Sequence, residues 1–353
     1  ARNYRLFRSI IPQKTKILGV VKSNAYGHYF VDFSKALEKL GVDFLGVDSF
    51  FEALSLRKSG ASAPILVFGH TLPENFDEAA KRNISVSISS KEQLAYLMQS
   101  RARHIPKIHV KIDTGMHRQG LMRSDEPLMK KFLEENKKSG RVEIEGVFTH
   151  FAGAKGKGNE FHTKKQIEAF REWTALFHSL GYHPIAHAAA SGGTLLFPES
   201  HMDMVRIGIG MYGIYPSREI EEKISKKMRL EPVLSWRTVI SEVKTVPRGE
   251  KIGYDLTETL KRKSTVAVCP VGYWHGFPRA LSSIGYVLVR GKRAKVLGRV
   301  SMDMISIDVT GIRGVTPGDV VTQIGPDGKE RLRAKAIASA MPGTSAYELV
   351  TRI

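Results

Sequence analysis

Through its first two-thirds the chain repeats one pattern: a short apolar, β-branched run, then a stretch with apolar residues at helical spacing. The run at 16–22, Lys-Ile-Leu-Gly-Val-Val-Lys, reads as a strand buried on both faces, because its apolar residues do not alternate with polar ones. A helical stretch at 30–40 follows and stops at Gly41. Further strand-like runs lie at 44–47, 64–68, 84–88, 107–113, 142–151, 185–190 and 204–209. Helical stretches at 49–59, 75–81, 91–101, 127–138 and 163–180 separate most of them. About eight such units suit an eightfold (β/α) barrel of ~250 residues. A doubly wound open sheet fits the same alternation, but no glycine-rich dinucleotide fingerprint follows the first strand.

From about residue 230 the rhythm changes. Short β-rich runs at 235–244, 264–271, 285–289, 295–300, 305–309 and 320–324 are separated by Gly, Pro and charged turns. One short helical stretch falls at 333–339. The expected fold class is therefore α/β: a (β/α)8 TIM-type barrel over 1–225, then a mostly β C-terminal domain over 226–353. The boundary is expected in the charged segment 218–227. A chain of 353 residues is long enough for two cores.

Composition narrows the function classes. Lys plus Arg number 54 against 35 Asp plus Glu, a net charge of +19. Such a balance can mark a nucleic-acid binder, but the cations are dispersed, and no basic stripe interleaves with aromatics. A generally basic surface that attracts anionic small molecules is the stronger reading. The single cysteine, Cys269, lies in an apolar run and reads as a small buried hydrophobe rather than a nucleophile. No apolar run approaches the ~20 residues that span a bilayer, and the opening lacks a signal-peptide core, so a cytoplasmic location is expected. His183 and His187 are four apart, but Pro184 between them argues against a helix and no carboxylate completes the set; no metal is expected.

Several segments place reactive side chains at strand ends, which is the active face of a (β/α) barrel. In Val20-Val21-Lys22-Ser23-Asn24-Ala25-Tyr26-Gly27-His28, Lys22 ends the first strand. Burial there would lower its pKa and suit Schiff-base chemistry, whereas a snorkelling side chain would stay an ordinary cation; position alone weighs the two evenly. The glycines of Val205-Arg206-Ile207-Gly208-Ile209-Gly210-Met211-Tyr212-Gly213 would let backbone N–H groups approach a phosphate. Lys111-Ile112-Asp113-Thr114-Gly115-Met116-His117-Arg118 gathers cations and a carboxylate at another strand end, and Thr149-His150-Phe151 a histidine at a third. Their bland readings are a solvated salt-bridged loop and a structural histidine. In the β region, Gly253-Tyr254-Asp255, Gly272-Tyr273-Trp274-His275-Gly276-Phe277-Pro278-Arg279 and Gly298-Arg299-Val300-Ser301-Met302-Asp303 stand out.

Taken in order, these segments resemble the alanine racemase family over nearly the whole chain. The resemblance implies a pyridoxal 5'-phosphate enzyme working as a head-to-tail homodimer on a small amino acid, with no membrane or nucleic-acid partner. It makes Lys22 the lysine that holds the cofactor and one catalytic base. Tyr26, Ser191, Gly208 and Ile209 would meet the phosphate, with Tyr212 beside them. Arg206 would face the pyridine nitrogen, supported by His150. Arg118 would bind the substrate carboxylate, and Lys111 matches a position often carbamylated in that family. Tyr254 would be the second base, delivered by the partner subunit, with Tyr273 and Met302 lining the substrate side. Two bases on opposite faces of Cα invert its configuration most directly. A tyrosine of ordinary pKa near ~10 needs cations or donors around it to do this at neutral pH.

The chain departs from the family at Trp274-His275, where Ala-Asp is usual, at Ala190, where asparagine is common, and at Ser23, usually alanine. The first departure bears on substrate range, so a racemase for serine or other amino acids is the nearest alternative. A basic amino-acid decarboxylase of the same architecture follows; it would need a cysteine from the β-domain, and Cys269 lies within an apparent strand. A non-enzymatic cofactor binder is disfavoured by the β region itself.

Overall fold

The computed structural model describes residues 1–156 and 158–353. The chain forms two compact units: Ala1–Ala25 with Tyr29–Glu231, and Tyr26–His28 with Pro232–Ile353. In the first, eight parallel strands are β1 (Lys16–Val20), β2 (Phe44–Val47), β3 (Ile65–Val67), β4 (Ile84–Ile88), β5 (Ile108–Lys111), β6 (Ile144–Phe148), β7 (Ile185–His187) and β8 (Met204–Ile207). They neighbour one another in the order β7-β6-β5-β4-β3-β2-β1-β8. The ring is drawn together between β7 and β8 by a parallel bridge of Ala190 with Arg206, whose N–H donates to Ala189 O at 2.9 Å. The (β/α)8 barrel expected from the sequence is thus present, and the open sheet is not. Most barrel-strand residues are buried, which is why the strands read as unbroken apolar runs.

The helices between strands begin where short polar side chains satisfy free N–H groups. Ser49 caps the helix Phe50–Lys58 by accepting from Glu52 N, and Glu52 reciprocates to Ser49 N. A helix at Arg2–Ile10, absent from the sequence reading, buries Asn3 and Phe7. The charged segment expected as a boundary contains a helix, Arg218–Ile224, capped by Ser217.

The second unit is mostly β. Its strands are β9 (Trp236–Val239), β10 (Glu242–Val246), β11 (Lys251–Ile252), β12 (Glu258–Thr259), β13 (Ser264–Cys269), β14 (Tyr286–Val289), β15 (Lys292–Leu297), β16 (Ile305–Asp308), β17 (Val320–Asp327) and β18 (Glu330–Leu332). Pairing is antiparallel in the order β10-β13-β16-β15-β14-β17-β18, with β9 on β17 and a separate β11-β12 hairpin. The single strand expected at 235–244 is two strands, because the chain leaves β17 after Val239 and pairs with β13 from Glu242. Leu260, Val266 and Leu297 form a small core there, with Val246 and Ile252 against it.

Candidate active site

Lys22 follows β1 and opens a helical turn, Lys22–Gly27. That turn is left-handed: Ser23, Asn24, Ala25, Tyr26 and Gly27 have φ of 55°, 53°, 50°, 54° and 77°. Left-handed α geometry costs an L-residue roughly 1–2 kcal/mol each, so the surroundings must impose it. They do so at several points. Ser23 N donates to Glu52 Oε1 at 2.7 Å, Ala25 N to Val21 O at 2.8 Å, and Phe30 N to Asn24 Oδ1 at 3.1 Å. Lys22 Nζ meets Asp48 Oδ1 at 2.8 Å. Asp48 and Glu52 both lie just past β2, so the neighbouring strand's exit sets both the turn and the amine. The Lys22 side chain is 37% exposed and ion-paired, so the burial weighed from sequence is replaced by a solvent-accessible amine held by a carboxylate.

Facing the barrel interior at the strand ends is a cluster of cations. Arg206 is buried, and its guanidinium donates to Thr149 O at 2.7 Å, Ala188 O at 2.8 Å and His187 O at 2.9 Å. It also donates from Nη1 to His187 Nδ1 at 2.9 Å and from Nη2 to His150 Nδ1 at 3.3 Å. Its Nε bonds to no described residue. Burial pulls Arg206 down to about 9, which leaves it cationic at neutral pH. Burial and the charges of Arg206, Arg118 and Lys111 push His150 down to about 3, so it is a neutral acceptor. The Phe148 ring lies beneath this group: His187 stacks on it at 4.9 Å and 6°, with Arg206 Cζ 5.5 Å and Lys111 Nζ 5.6 Å from its centre.

Lys111 ends β5 and is buried, its Nζ donating to Gln119 Oε1 at 2.8 Å. Gln119 Nε2 in turn donates to Ser89 Oγ at 3.0 Å, which fixes the amide's direction. Burial, then the charges of Arg118 and Arg206, lower Lys111 to about 8. Arg118 is exposed and makes no hydrogen bond or ion pair with any described residue, so its guanidinium is available to an anion.

Ser191, which opens a helix after β7, accepts through Oγ from Gly208 N at 3.1 Å and Gly210 N at 3.2 Å in the loop after β8. Ile209 N–H, in a buried residue, meets no described acceptor. The Tyr212 hydroxyl donates to Val20 O at 2.8 Å and its ring stacks on Phe33 at 4.4 Å, so this phenol ties β1 to the loop after β8.

In the second unit Tyr254 is 70% exposed, and Tyr273 and Met302 are also exposed. Tyr273 N donates to Ser301 O at 3.1 Å and Trp274 N to Met302 O at 3.0 Å, which brings Tyr273 and Met302 together. Gly272 permits this clasp: a Cβ there would lie 2.3 Å from Ser301 O and Met302 O. Tyr26 lies 6.2 Å from the ring of Tyr347, a residue the sequence reading missed. Burial, with Tyr26 adding to it, pushes the Tyr347 phenol well above the ordinary tyrosine range. Nothing local marks Tyr347 in the sequence. The Cys269 thiol is buried and pushed up to about 12, so it cannot serve the decarboxylase alternative as a thiolate. Among the described residues no helix is long and apolar enough to cross a membrane.

A parallel barrel that presents a lysine after its first strand, a buried arginine at its strand ends and, after its seventh strand, a serine held by backbone N–H groups of the loop after its eighth defines a barrel enzyme with a cationic mouth suited to an anionic ligand. The chain belongs to the alanine racemase family: the family's N-terminal domain model matches residues 1–216 and its C-terminal domain model residues 233–353. The alanine racemase of Methanococcus maripaludis is 37% identical over 361 residues, covering 99% of this chain and 93% of its own length. That of Leptospira interrogans is 37% identical over 359 residues, covering 100% and 91%. The crystal structure of alanine racemase from Bacillus anthracis with bound L-Ala-P superposes with a TM-score of 0.91 at 35% identity, covering 99% of this chain and 89% of that one.

Proposed function

We propose that this chain is an alanine racemase that interconverts L- and D-alanine with pyridoxal 5'-phosphate, using Lys22 and Tyr254 as its two bases. The observation that carries the reading is the Lys22 amine after β1 in a barrel whose mouth also holds Arg206 and Arg118, in a chain matched end to end by alanine racemases.

The residues present suit the cofactor. Ile209 N–H is a donor without a described partner, and Ser191 beside it is already fixed by Gly208 and Gly210; together they offer donors to a phosphate. Arg206 Nε is a donor left over after every other guanidinium N–H is engaged, which suits a ring nitrogen. When bound, the cofactor supplies an electron sink for the pair left as the substrate's Cα loses its proton. Arg206, donor-only and cationic at neutral pH, would keep the ring nitrogen from taking a proton of its own. His150, neutral, accepts from Arg206 without competing for charge. Arg118 binds the substrate carboxylate. Lys22 moves the Cα proton on one face and Tyr254 on the other, in either direction. Tyr254 reaches the site from a second copy of the chain, so the working form is a homodimer; a cytoplasmic enzyme supplying D-alanine for the cell wall is the matching role.

A chiral assay over a panel of L-amino acids, with and without added cofactor, tests this. Alanine is expected to racemise, Lys22→Ala to abolish turnover, and borohydride reduction to fix the cofactor on Lys22. Equal loss of enantiomeric excess in Lys22→Ala and the parent would refute the assignment. Trp274-His275, a departure from the family beside Tyr273, is why the panel includes serine as the alternative substrate.

A further inference from the structure

Arg206 is a buried cation with no described carboxylate within ion-pair distance, and a buried charge without compensation is costly. Its hydrogen bonds lead to one. Arg206 Nη1 donates to His187 Nδ1 at 2.9 Å. His187 Nε2 lies 2.8 Å from His109 Nδ1, and His109 Nε2 lies 3.0 Å from Glu145 Oε2. Both imidazoles are fully buried. Glu145 also receives Ser85 Oγ at 2.5 Å and Lys107 Nζ at 3.4 Å.

The direction of this chain is forced. A guanidinium has only donors, so His187 Nδ1 must accept and its proton is on Nε2. That N–H donates to His109, whose Nδ1 must therefore accept, leaving its proton on Nε2 to donate to Glu145. Protonating either ring would set two donors against each other. The row works only with two neutral rings in the Nε2–H form, a cation at one end and a carboxylate at the other. Burial and the charge of Arg206 keep His187 well below the ordinary histidine range, in keeping with a neutral ring. Burial alone would raise Glu145, but its bonds to His109 and Ser85 and the charge of Lys107 hold it at about 2. Gly146 is part of the arrangement: a Cβ there would lie 2.1 Å from His109 Nδ1, so β6 must pass the ring without a side chain.

We propose that Glu145 and His109 are positioning residues for the racemase, acting through His187 to hold Arg206 in one orientation as a charge-compensated donor. The role in turnover rests on the proposed reaction; the tautomer pattern does not. His109 and Lys111 are two apart on β5, so both point inward, one toward the relay and one toward the substrate side.

The test joins imidazole ¹⁵N NMR of the holoenzyme, labelled at histidine, to steady-state kinetics. The parent is expected to show His109 and His187 as neutral Nε2–H tautomers. In His109→Leu, kcat should fall about tenfold with KM changed less than about twofold, since ~1.4 kcal/mol is the worth of one buried hydrogen bond. Glu145→Gln keeps an oxygen for His109 to donate to; its tautomers should stay, while kcat drops roughly threefold with the loss of charge. An imidazolium or an Nδ1–H tautomer at either ring in the parent overturns the proposal. So does parental kcat in both variants. A parent unable to racemise any amino acid while showing both predicted tautomers would bring down the proposed reaction, and the positioning role with it; an active parent with active variants brings down the positioning role alone.

Discussion

At Lys111 two demands meet. The amine is buried among like charges, and a neutral amide oxygen, not a carboxylate, receives it. Its folded pKa of about 8 lies below the ~10.4 of an unfolded lysine, so between those values the unfolded chain binds more protons and stability rises with pH. In bicarbonate-free buffer, urea midpoints at pH 7 and pH 10 should therefore show the parent gaining on Lys111→Met as pH increases; a constant difference would contradict the depressed value. The same depression leaves roughly a tenth of the amine as free base at pH 7, against well under a thousandth for an ordinary lysine. Free amine is the form that captures carbon dioxide. With ¹³C-bicarbonate the parent is expected to give a carbamate resonance that Lys111→Met lacks, and its absence from the parent would retire the carbamylation that the family resemblance implies. Arg118, without a described partner, is the neighbour such a carbamate would hold.

At the scale of elements, the turn Lys22–Gly27 is an improbable backbone that carries the proposed catalytic lysine. Five consecutive left-handed residues persist because β2's exit supplies Asp48 and Glu52 to its first two positions and Asn24 anchors the next helix. Gly27 allows the far end: at φ 77° a Cβ would lie 1.9 Å from Val350 O. Gly27→Ala should cost at least ~3 kcal/mol by chemical denaturation, whereas Ser23→Gly, which keeps the bond to Glu52, should stay within ~1 kcal/mol of the parent. A well-tolerated Gly27→Ala would mean that the turn relaxes elsewhere. Little of this was legible in the sequence: Asn24 and Gly27 tolerate left-handed backbone, but Ser23, Ala25 and Tyr26 do not favour it, and tertiary bonds dictate it. The barrel strands were legible, since burial on both faces writes itself as unbroken apolar residues. The break at Ile240 was not, because only the partner strands reveal it. His109 could have been found: two residues before Lys111 on a strand, it must share that residue's face. His187 was considered only as a metal ligand, and its real partners come from β5 and β8.

For the whole molecule, the second unit leaves Tyr254, Trp274, Met302 and Met304 exposed. Isolated exposed apolar residues are ordinary, but here Trp274 and Met302 stand with Tyr273 on a clasped backbone, and Tyr254, the proposed second base, is exposed as well. A second copy bringing Tyr254 to Lys22 accounts for both facts, and it makes a prediction that no self-sufficient monomer can meet. Lys22→Ala and Tyr254→Phe should each be nearly inactive alone. In an isologous dimer, unfolding and refolding them together in equal amounts gives mixed dimers in which one site pairs an intact lysine with an intact tyrosine and the other pairs two defects, so about a quarter of parental activity should return. Sedimentation of the mixture must show a dimer. Recovery to that level with a dimeric species would establish that each site draws on two chains; no recovery in a mixture that has demonstrably exchanged subunits would place both bases on one chain and remove the reason for the assembly.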